Sequence, residues 1–315
     1  MSPPDAATPI LHHYDTSPFA EKVRLMLGFK GLAWRSVKVP QIMPKPDQLA
    51  LTGGYRRAPV LQLGADVYCD TALIARVLDR LQPTPTLFPA SAPLAPLLAQ
   101  WVDSTLFWIV IPYTMQPAGM AALFAGRPPE ALQAFAADRK PFSAGIKRLS
   151  LADATQQLQA ALAAFDAQLA DGRPWLFGSD ASIADFSLAH CLWFIRRAPP
   201  VAGVLDAAPH VRRWHNAVLA IGHGHFDTLD SADALALAAA STPGPQQVMP
   251  GQGFEAGQGV SVAAIDYGTE PSFGALVGLA PDEVVIRRVD ARAGTVHVHF
   301  PRSGYQIKPD LQETP

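Results

Sequence analysis

The stretch Ile10–Gly31 constrains this chain most, because it changes structural type twice within a few residues. Ile10, Leu11, His12, His13 and Tyr14 form an apolar, strand-like run, and Asp15, Thr16 and Ser17 then make a polar turn. Ser17 stands where a helix N-cap belongs, and its hydroxyl can accept from an orphan backbone N–H. Pro18 follows at the one helical position that tolerates a missing donor. Phe19, Val23, Met26 and Leu27 recur at helical spacing and predict one buried face. Gly31 reads as the stop just past the helix. A hydroxyl at the positive end of a helix, directly after a strand, suits the holding of an anion such as a thiolate. The same hydroxyl can equally serve only as the cap.

Downstream, Ala33–Val39 alternates as a second strand, and Pro40, Pro44 and Pro46 predict an irregular, proline-stiffened segment. Gly53 and Gly54 signal a turn. A hairpin follows, Pro59–Leu63 and Asp66–Cys69 around Gly64-Ala65. From Asp70 the period becomes 3.6, with Leu73, Ile74, Val77, Leu78 and Leu81 facing inward until Pro83 ends the helix. Asp70-Thr71 can be read as a helix cap and Pro59 as a strand-entry proline.

The resulting order, β-α-β-loop-β-β-α, resembles the thioredoxin-like N-terminal domain of glutathione transferases. Ser17-Pro18-Phe19-Ala20-Glu21-Lys22-Val23-Arg24 is similar to the omega-type and related bacterial signature, in which the first position is Cys or Ser. Arg57-Ala58-Pro59-Val60-Leu61 is similar to the family's basic-Val-Pro-x-Leu motif, whose proline is cis, and Asp70-Thr71 stands where the family usually has Glu-Ser. The resemblance implies glutathione as co-substrate. Ala58, before the cis Pro59, would pair the backbone of the bound peptide. Thr71 would meet the γ-glutamyl carboxylate, Asp70 the ammonium, and Arg57 the glycyl carboxylate, with Arg56 competing for that role. Ser17 would hydrogen-bond the sulfur and favour the thiolate, with Tyr14 the runner-up hydroxyl and Thr16 a weaker third. A serine cannot form the mixed disulfide that a cysteine would, so conjugation or peroxide-type chemistry is expected rather than deglutathionylation.

Pro83, Pro85, Pro89, Pro93 and Pro96 mark a linker, after which helical patterns prevail. We expect a long helix over Leu94–Met120, kinked at Pro112, then helices at Pro129–Arg139 and Leu151–Ala170. Trp101, Phe107, Trp108 and Tyr113 are spaced to line a core or an acceptor pocket. Ser182-Ile183-Ala184-Asp185 is a capping box heading the helix to Arg196, similar to the box that opens the central buried helix of glutathione transferases. A further helix starts at Pro209. After Ser241-Thr242-Pro243-Gly244-Pro245 the pattern turns to β, with strands expected at Val260–Ile265, Ala275–Leu279, Glu283–Val289, Thr295–Phe300 and Tyr305–Lys308. The fold class is therefore α+β multidomain. It comprises a thioredoxin-like domain (9–85), an all-α glutathione-transferase-type domain (93–240) and a small β module (250–310), the last an SH3-like barrel or an open sheet. Most glutathione transferases lack that module, which could be a dimer contact, a lid or a partner-binding surface.

Composition narrows the function classes. A formal net charge of −2 offers no footprint for nucleic acid or an anionic membrane. The basic doublets Arg56-Arg57, Arg196-Arg197, Arg212-Arg213 and Arg287-Arg288 read as solvated surface. Cys69 and Cys191 lie far apart in apolar surroundings, with neither a redox nor a zinc spacing, as expected of buried thiols in a reducing cytoplasm. Met1–Thr8 shows no secretory leader pattern, and the apolar run Leu106–Met115 is too short to span a bilayer. His210, His215, His223 and His225 read as surface residues rather than metal ligands, and His297 and His299 as an exposed polar face. The expected activity is attack of an activated glutathione thiol on an apolar electrophile by a cytoplasmic homodimer without metal. The alternative is a non-catalytic scaffold of the same fold, whose β module binds a protein or small ligand.

Overall fold

In the computed structural model, which describes residues 7–310, the chain opens with β1 (Ile10–His13), α1 (Pro18–Phe29) and β2 (Trp34–Lys38). Ser17 caps α1 by accepting from the Ala20 N–H at 3.2 Å, and Gly31 leaves the helix at φ +62°. The proline-rich segment then holds a helix that the sequence reading missed. Pro46 does not disrupt it but starts α2 (Pro46–Thr52), at the position where proline costs no hydrogen bond. β3 (Val60–Leu63), β4 (Asp66–Cys69) and α3 (Thr71–Leu81) complete the unit. β1 runs parallel to β2 and antiparallel to β3, and β3 is antiparallel to β4.

The helical part contains α4 (Ala95–Trp101), a π-helical turn (Val102–Leu106), α5 (Phe107–Thr114), α6 (Pro117–Leu123), α7 (Pro129–Phe142), α8 (Leu151–Gln168), α9 (Ile183–Arg196), a 3-10 stretch (Pro199–Ala207) and α10 (Pro209–Ala220). The single helix expected over Leu94–Met120 is thus divided. α5 runs through Pro112, and the break comes instead at Gln116, which adopts an extended conformation before Pro117. By length and hydropathy alone, the run Ala95–Thr114 is long enough to cross a membrane, unlike the shorter run read from the sequence. It serves here as a core helix, with Val102, Leu106, Phe107, Ile109 and Val110 buried in one apolar cluster shared with α9. The Ser182–Asp185 box heads α9 with both reciprocal bonds made, and α9 is buried along nearly its whole length.

A short strand β5 (Phe226–Thr228) and helix α11 (Ser231–Ala240) then return the chain to the first sheet, β5 pairing in parallel with β2. The C-terminal strands are β6 (Gly259–Ala264), β7 (Ser272–Leu279), β8 (Glu283–Asp290), β9 (Gly294–Pro301) and β10 (Tyr305–Pro309). They do not close into an SH3-like barrel. Instead β9 pairs in parallel with β4, and one open sheet results in the order β10-β6-β7-β8-β9-β4-β3-β1-β2-β5. The two segments share a core, since Val60, Val67 and Cys69 pack with Val260, Leu276, Ile286, Val298 and Phe300. β9 lies inside the sheet, which reverses the expectation for its histidines. His299 is 2 % exposed, stacked on Tyr68 at 4.3 Å and bonded to both Asp66 (2.9 Å) and Glu283 (2.6 Å). Burial opposes charge on His299, but the two carboxylates outweigh it and hold its pKa above the ordinary value. At the other junction Gly54 passes so close to Pro271 that a Cβ would lie 1.9 Å from its carbonyl oxygen, and Ser272 Oγ accepts from the Gly54 and Tyr55 N–H groups.

Candidate functional site

Two cavities meet where the N-terminal strands, the helices and the C-terminal strands converge. The smaller, about 320 Å³, is walled by Pro59, Asp70, Thr71 and Lys22 on one side and by Asp266, Asp282, Ser303 and Tyr305 on the other. The larger, about 920 Å³, takes in Tyr14, Thr16 and Ser17 together with aromatic side chains of the helical part. Phe19, Arg57, Ala58 and Tyr267 belong to both walls. The residues singled out in the sequence therefore divide, Ser17 and Tyr14 facing the larger cavity, Asp70 and Thr71 the smaller, and Arg57 with Ala58 the boundary.

Ser17 is 2 % exposed and lies at the N-terminus of α1. One lone pair is used by the Ala20 N–H, while its hydroxyl reaches the Ala58 carbonyl only at 3.5 Å. A bond that long is weak, so the serine proton can be redirected at little cost. Ala58–Pro59 is cis. Tyr14 has the Lys45 ammonium 5.5 Å from its ring centre, and Thr16 contributes its carbonyl, which accepts from Arg197 at 3.1 Å. Behind this turn, Arg24 ties together Glu21, His13 and the Asp15 carbonyl, fixing how β1 leads into α1.

The groups expected to meet a ligand's charged ends already have internal partners. Asp70, at φ +77°, caps α3 through the Ala72 N–H (2.9 Å) and accepts from the Tyr305 hydroxyl (3.2 Å). Burial pushes its carboxyl above the ordinary range. Thr71 Oγ1 accepts from Lys22, whose ammonium also pairs with Asp103 at 2.5 Å. Asp103 projects from the π-helical turn and holds His190 at 2.9 Å, so a helix irregularity joins the two parts of the molecule here. Arg57 donates to Asp266 and to the Tyr267 carbonyl, with its guanidinium 3.8 Å from the Tyr267 ring centre. Arg56 pairs with Asp138 and Glu270 and does not reach the smaller cavity, so of the two arginines only Arg57 borders it. Neither is the solvated surface residue its doublet suggested.

Several of these residues escaped the sequence reading. Lys22 carried a signal, being a charge three residues past Phe19 on the apolar face of α1. Asp266, Tyr267 and Tyr305 carried none, because only the pairing of β9 with β4 brings them to the site. Among the described residues no group of three His, Cys, Asp or Glu side chains could hold a metal. Of the clustered histidines, His215 proves buried, bonded to the Ala189 carbonyl, and His223 meets Glu21 at 3.1 Å. Phe107 and Trp108 line the larger cavity, Tyr113 is core, and Trp101 is exposed.

Residues 11–86 match the family model for the glutathione S-transferase N-terminal domain, and 130–217 the model for its C-terminal domain. Among solved structures, a GST-like protein from Pseudomonas syringae is 42 % identical, covering 95 % of this chain and 99 % of its own, with TM-score 0.79. That coverage takes in most of the C-terminal strands. Glutathione S-transferase III in its apo form is 25 % identical over 68 % of this chain and 92 % of its own, with TM-score 0.52. Glutathione S-transferase-I bound with lactoylglutathione shares the fold at 17 % identity, over 68 % of this chain and 98 % of its own, with TM-score 0.51. A search of the curated proteins gives no match. With both family domains in place and a relative at 42 % identity along almost its full length, the chain belongs to the glutathione S-transferase superfamily.

Proposed function

We propose that this protein is a glutathione transferase that activates the glutathione thiol at Ser17 for attack on an electrophile or peroxide-type substrate in the larger cavity. One observation carries the reading. A smaller cavity bordered by Asp70, Thr71 and Arg57 and a larger one walled by aromatic and cationic side chains share a wall at Phe19 and Ala58, beside a serine hydroxyl at a helix N-terminus. Glutathione would lie along Ala58 and Pro59, its glutamyl end toward Asp70 and Thr71 and its glycyl carboxylate toward Arg57. The Ser17 proton, freed from its long contact to Ala58, would then donate to the sulfur, and the α1 dipole would favour the thiolate. Tyr14 remains the runner-up hydroxyl. The buried free thiols Cys69 and Cys191 support a reducing, cytoplasmic setting. Exposed Leu94, just before α4, with Leu97 and Trp101 on it, supports a homodimer, which sedimentation tests.

A specific observation favours a second reading, a non-catalytic scaffold of the same fold. Arg57, Thr71 and Asp70 are each engaged from within the chain, two of them by the C-terminal strands. Calorimetry with millimolar glutathione, followed by conjugation assays against model electrophiles, separates the two. Binding with turnover supports the enzyme, and absence of both supports the scaffold.

A further inference from the structure

The smaller cavity carries a charge pattern that a peptide with two carboxylates does not call for. Asp70, Asp103, Asp266 and Asp282 line it, against Lys22, Arg57 and Arg76. Lys22 is paired with Asp103 at 2.5 Å and Arg57 with Asp266, while Arg76 is exposed over the Phe88 ring. Both buried cations of this wall therefore already have a carboxylate partner. The γ-glutamyl carboxylate can use the start of α3 at Thr71, where backbone N–H groups are free of helical partners. A second carboxylate, at the glycyl end, finds a guanidinium whose charge is already balanced.

The Arg57–Asp266 pair decides what that end can be. Arg57 is 9 % exposed, and its bonds to Asp266 and to the Tyr267 carbonyl leave from the same nitrogen, so donors on the rest of the guanidinium stay unused. Asp266 stands in the turn after β6, its side chain 37 % exposed on the same cavity wall. A guanidinium donor beside a carboxylate acceptor is the complement of a carboxamide, whose carbonyl accepts and whose N–H donates. A ligand carboxylate matches only half of the pair. It can accept from Arg57, but it offers Asp266 no donor and sets a second negative charge beside it, and like charges so placed repel.

We propose that the smaller cavity selects a γ-glutamyl thiol peptide whose C-terminal carboxylate is masked as an amide, the amide carbonyl accepting from Arg57 and its N–H donating to Asp266. Asp266 is then the specificity-determining residue, and it lies outside both stretches matched by the family models. The proposal rests on the glutathione reading for the rest of the peptide and deepens it by naming the class of thiol the cavity prefers.

The test is isothermal titration at pH 7 with glutathione, its glycyl ethyl ester and its glycinamide, which differ only in that terminal group. The amide should bind at least about tenfold more tightly than glutathione, with the ester between them because it has no N–H for Asp266. Asp266→Asn removes the competing charge and keeps an acceptor oxygen, so glutathione should gain about tenfold, the amide should stay within about threefold, and the preference should vanish. Glutathione binding as tightly as the amide to the unaltered protein overturns the proposal and leaves the glutathione reading standing, and that comparison needs no variant to fold. Binding of none of the three overturns both. An Asp266→Asn protein that keeps its preference for the amide overturns the assignment to Asp266.

Discussion

Asp266 occupies the guanidinium that glutathione's glycyl carboxylate would need, so replacing it should tighten glutathione binding. Arg57 gives one nitrogen to Asp266 and to the Tyr267 carbonyl, while its Nε is buried without a partner. A charge-assisted bond of this kind contributes roughly 1.5–3 kcal/mol when desolvated. The Asp266 side chain is 37 % exposed, so solvent screening reduces that to about 1–2 kcal/mol. A ligand carboxylate that must displace Asp266 from Arg57 loses that amount on binding. Asp266→Asn removes the competing charge at nearly constant shape, and glutathione should bind about 5–30-fold more tightly. The same variant should lose about 1–2 kcal/mol of unfolding free energy, because the Asp266–Tyr267 turn is held to the first domain partly through this contact. Isothermal titration of glutathione at pH 7 reads the first effect and chemical denaturation the second. Unchanged affinity in a protein destabilised as expected would remove Arg57 from the ligand site. Weaker binding would mean that Asp266 positions Arg57 rather than competing for it.

Ser17→Ala should lower the conjugation rate at least about tenfold with glutathione affinity nearly unchanged, while the lost cap costs about 1 kcal/mol of stability. A retained rate would shift the role to Tyr14. Asp185 accepts from the Leu176 and Ser182 N–H groups, the Ser182 hydroxyl and Trp214 Nε1. Asp185→Ala should therefore cost about 3–5 kcal/mol in denaturant unfolding, and a loss below 1 kcal/mol would contradict the account of that junction. Burial holds His12 and His215 down to about 4 and, with Arg24 and Lys38, His13 down to about 3. The unfolded chain therefore takes up protons below about 6.5 that the folded one refuses, so the stability present above that pH is lost as pH falls toward 4. Each histidine should cost about 1 kcal/mol between pH 6.5, where the unfolded imidazole is half protonated, and pH 5.5, and a flat urea midpoint over that interval would refute it.

What the sequence showed plainly was local. The strand, cap and helix of residues 10–31 depend on neighbours within a few positions, and Ser17, Pro18 and Gly31 each act as their chemistry requires. The Ser182–Asp185 box is legible for the same reason. Non-local pairing was not legible. The alternation of Val296 and Val298 with His297 and His299 was correctly periodic, but period alone does not say that both faces of β9 are covered. β5 is three exposed residues without alternation, and nothing but its partner β2 marks it as a strand. The cations of the larger cavity are scattered from Lys45 to Arg197 and converge only in space. The 25 Lys and Arg of the sequence are nearly balanced by 27 Asp and Glu, which hid their segregation.

The C-terminal strands change what the family fold can do at this site. An unpaired β4 would leave an exposed sheet edge, and β9 closes it through a register that sets His299 opposite Tyr68 and His297 opposite Asp66. His299, bonded to both Asp66 and Glu283, fastens that edge, and the shared core of Val60, Val67, Ile286 and Val298 makes the two segments pack together. Because the strands are fixed to the sheet, the turn after β6 and the start of β10 are fixed too. Those two places bring Asp266 and Tyr267 to Arg57 and Tyr305 to Asp70. Tyr267 then stands between the cavities, with Trp108 at 5.2 Å and Phe142 at 5.3 Å from its ring centre. A side chain held by the C-terminal strands thus forms the partition between the smaller cavity and the cationic aromatic one. The C-terminal segment thus supplies one wall of the smaller compartment, through Asp266, Asp282 and Tyr305, whereas the cations of the larger one come from the first two parts of the chain.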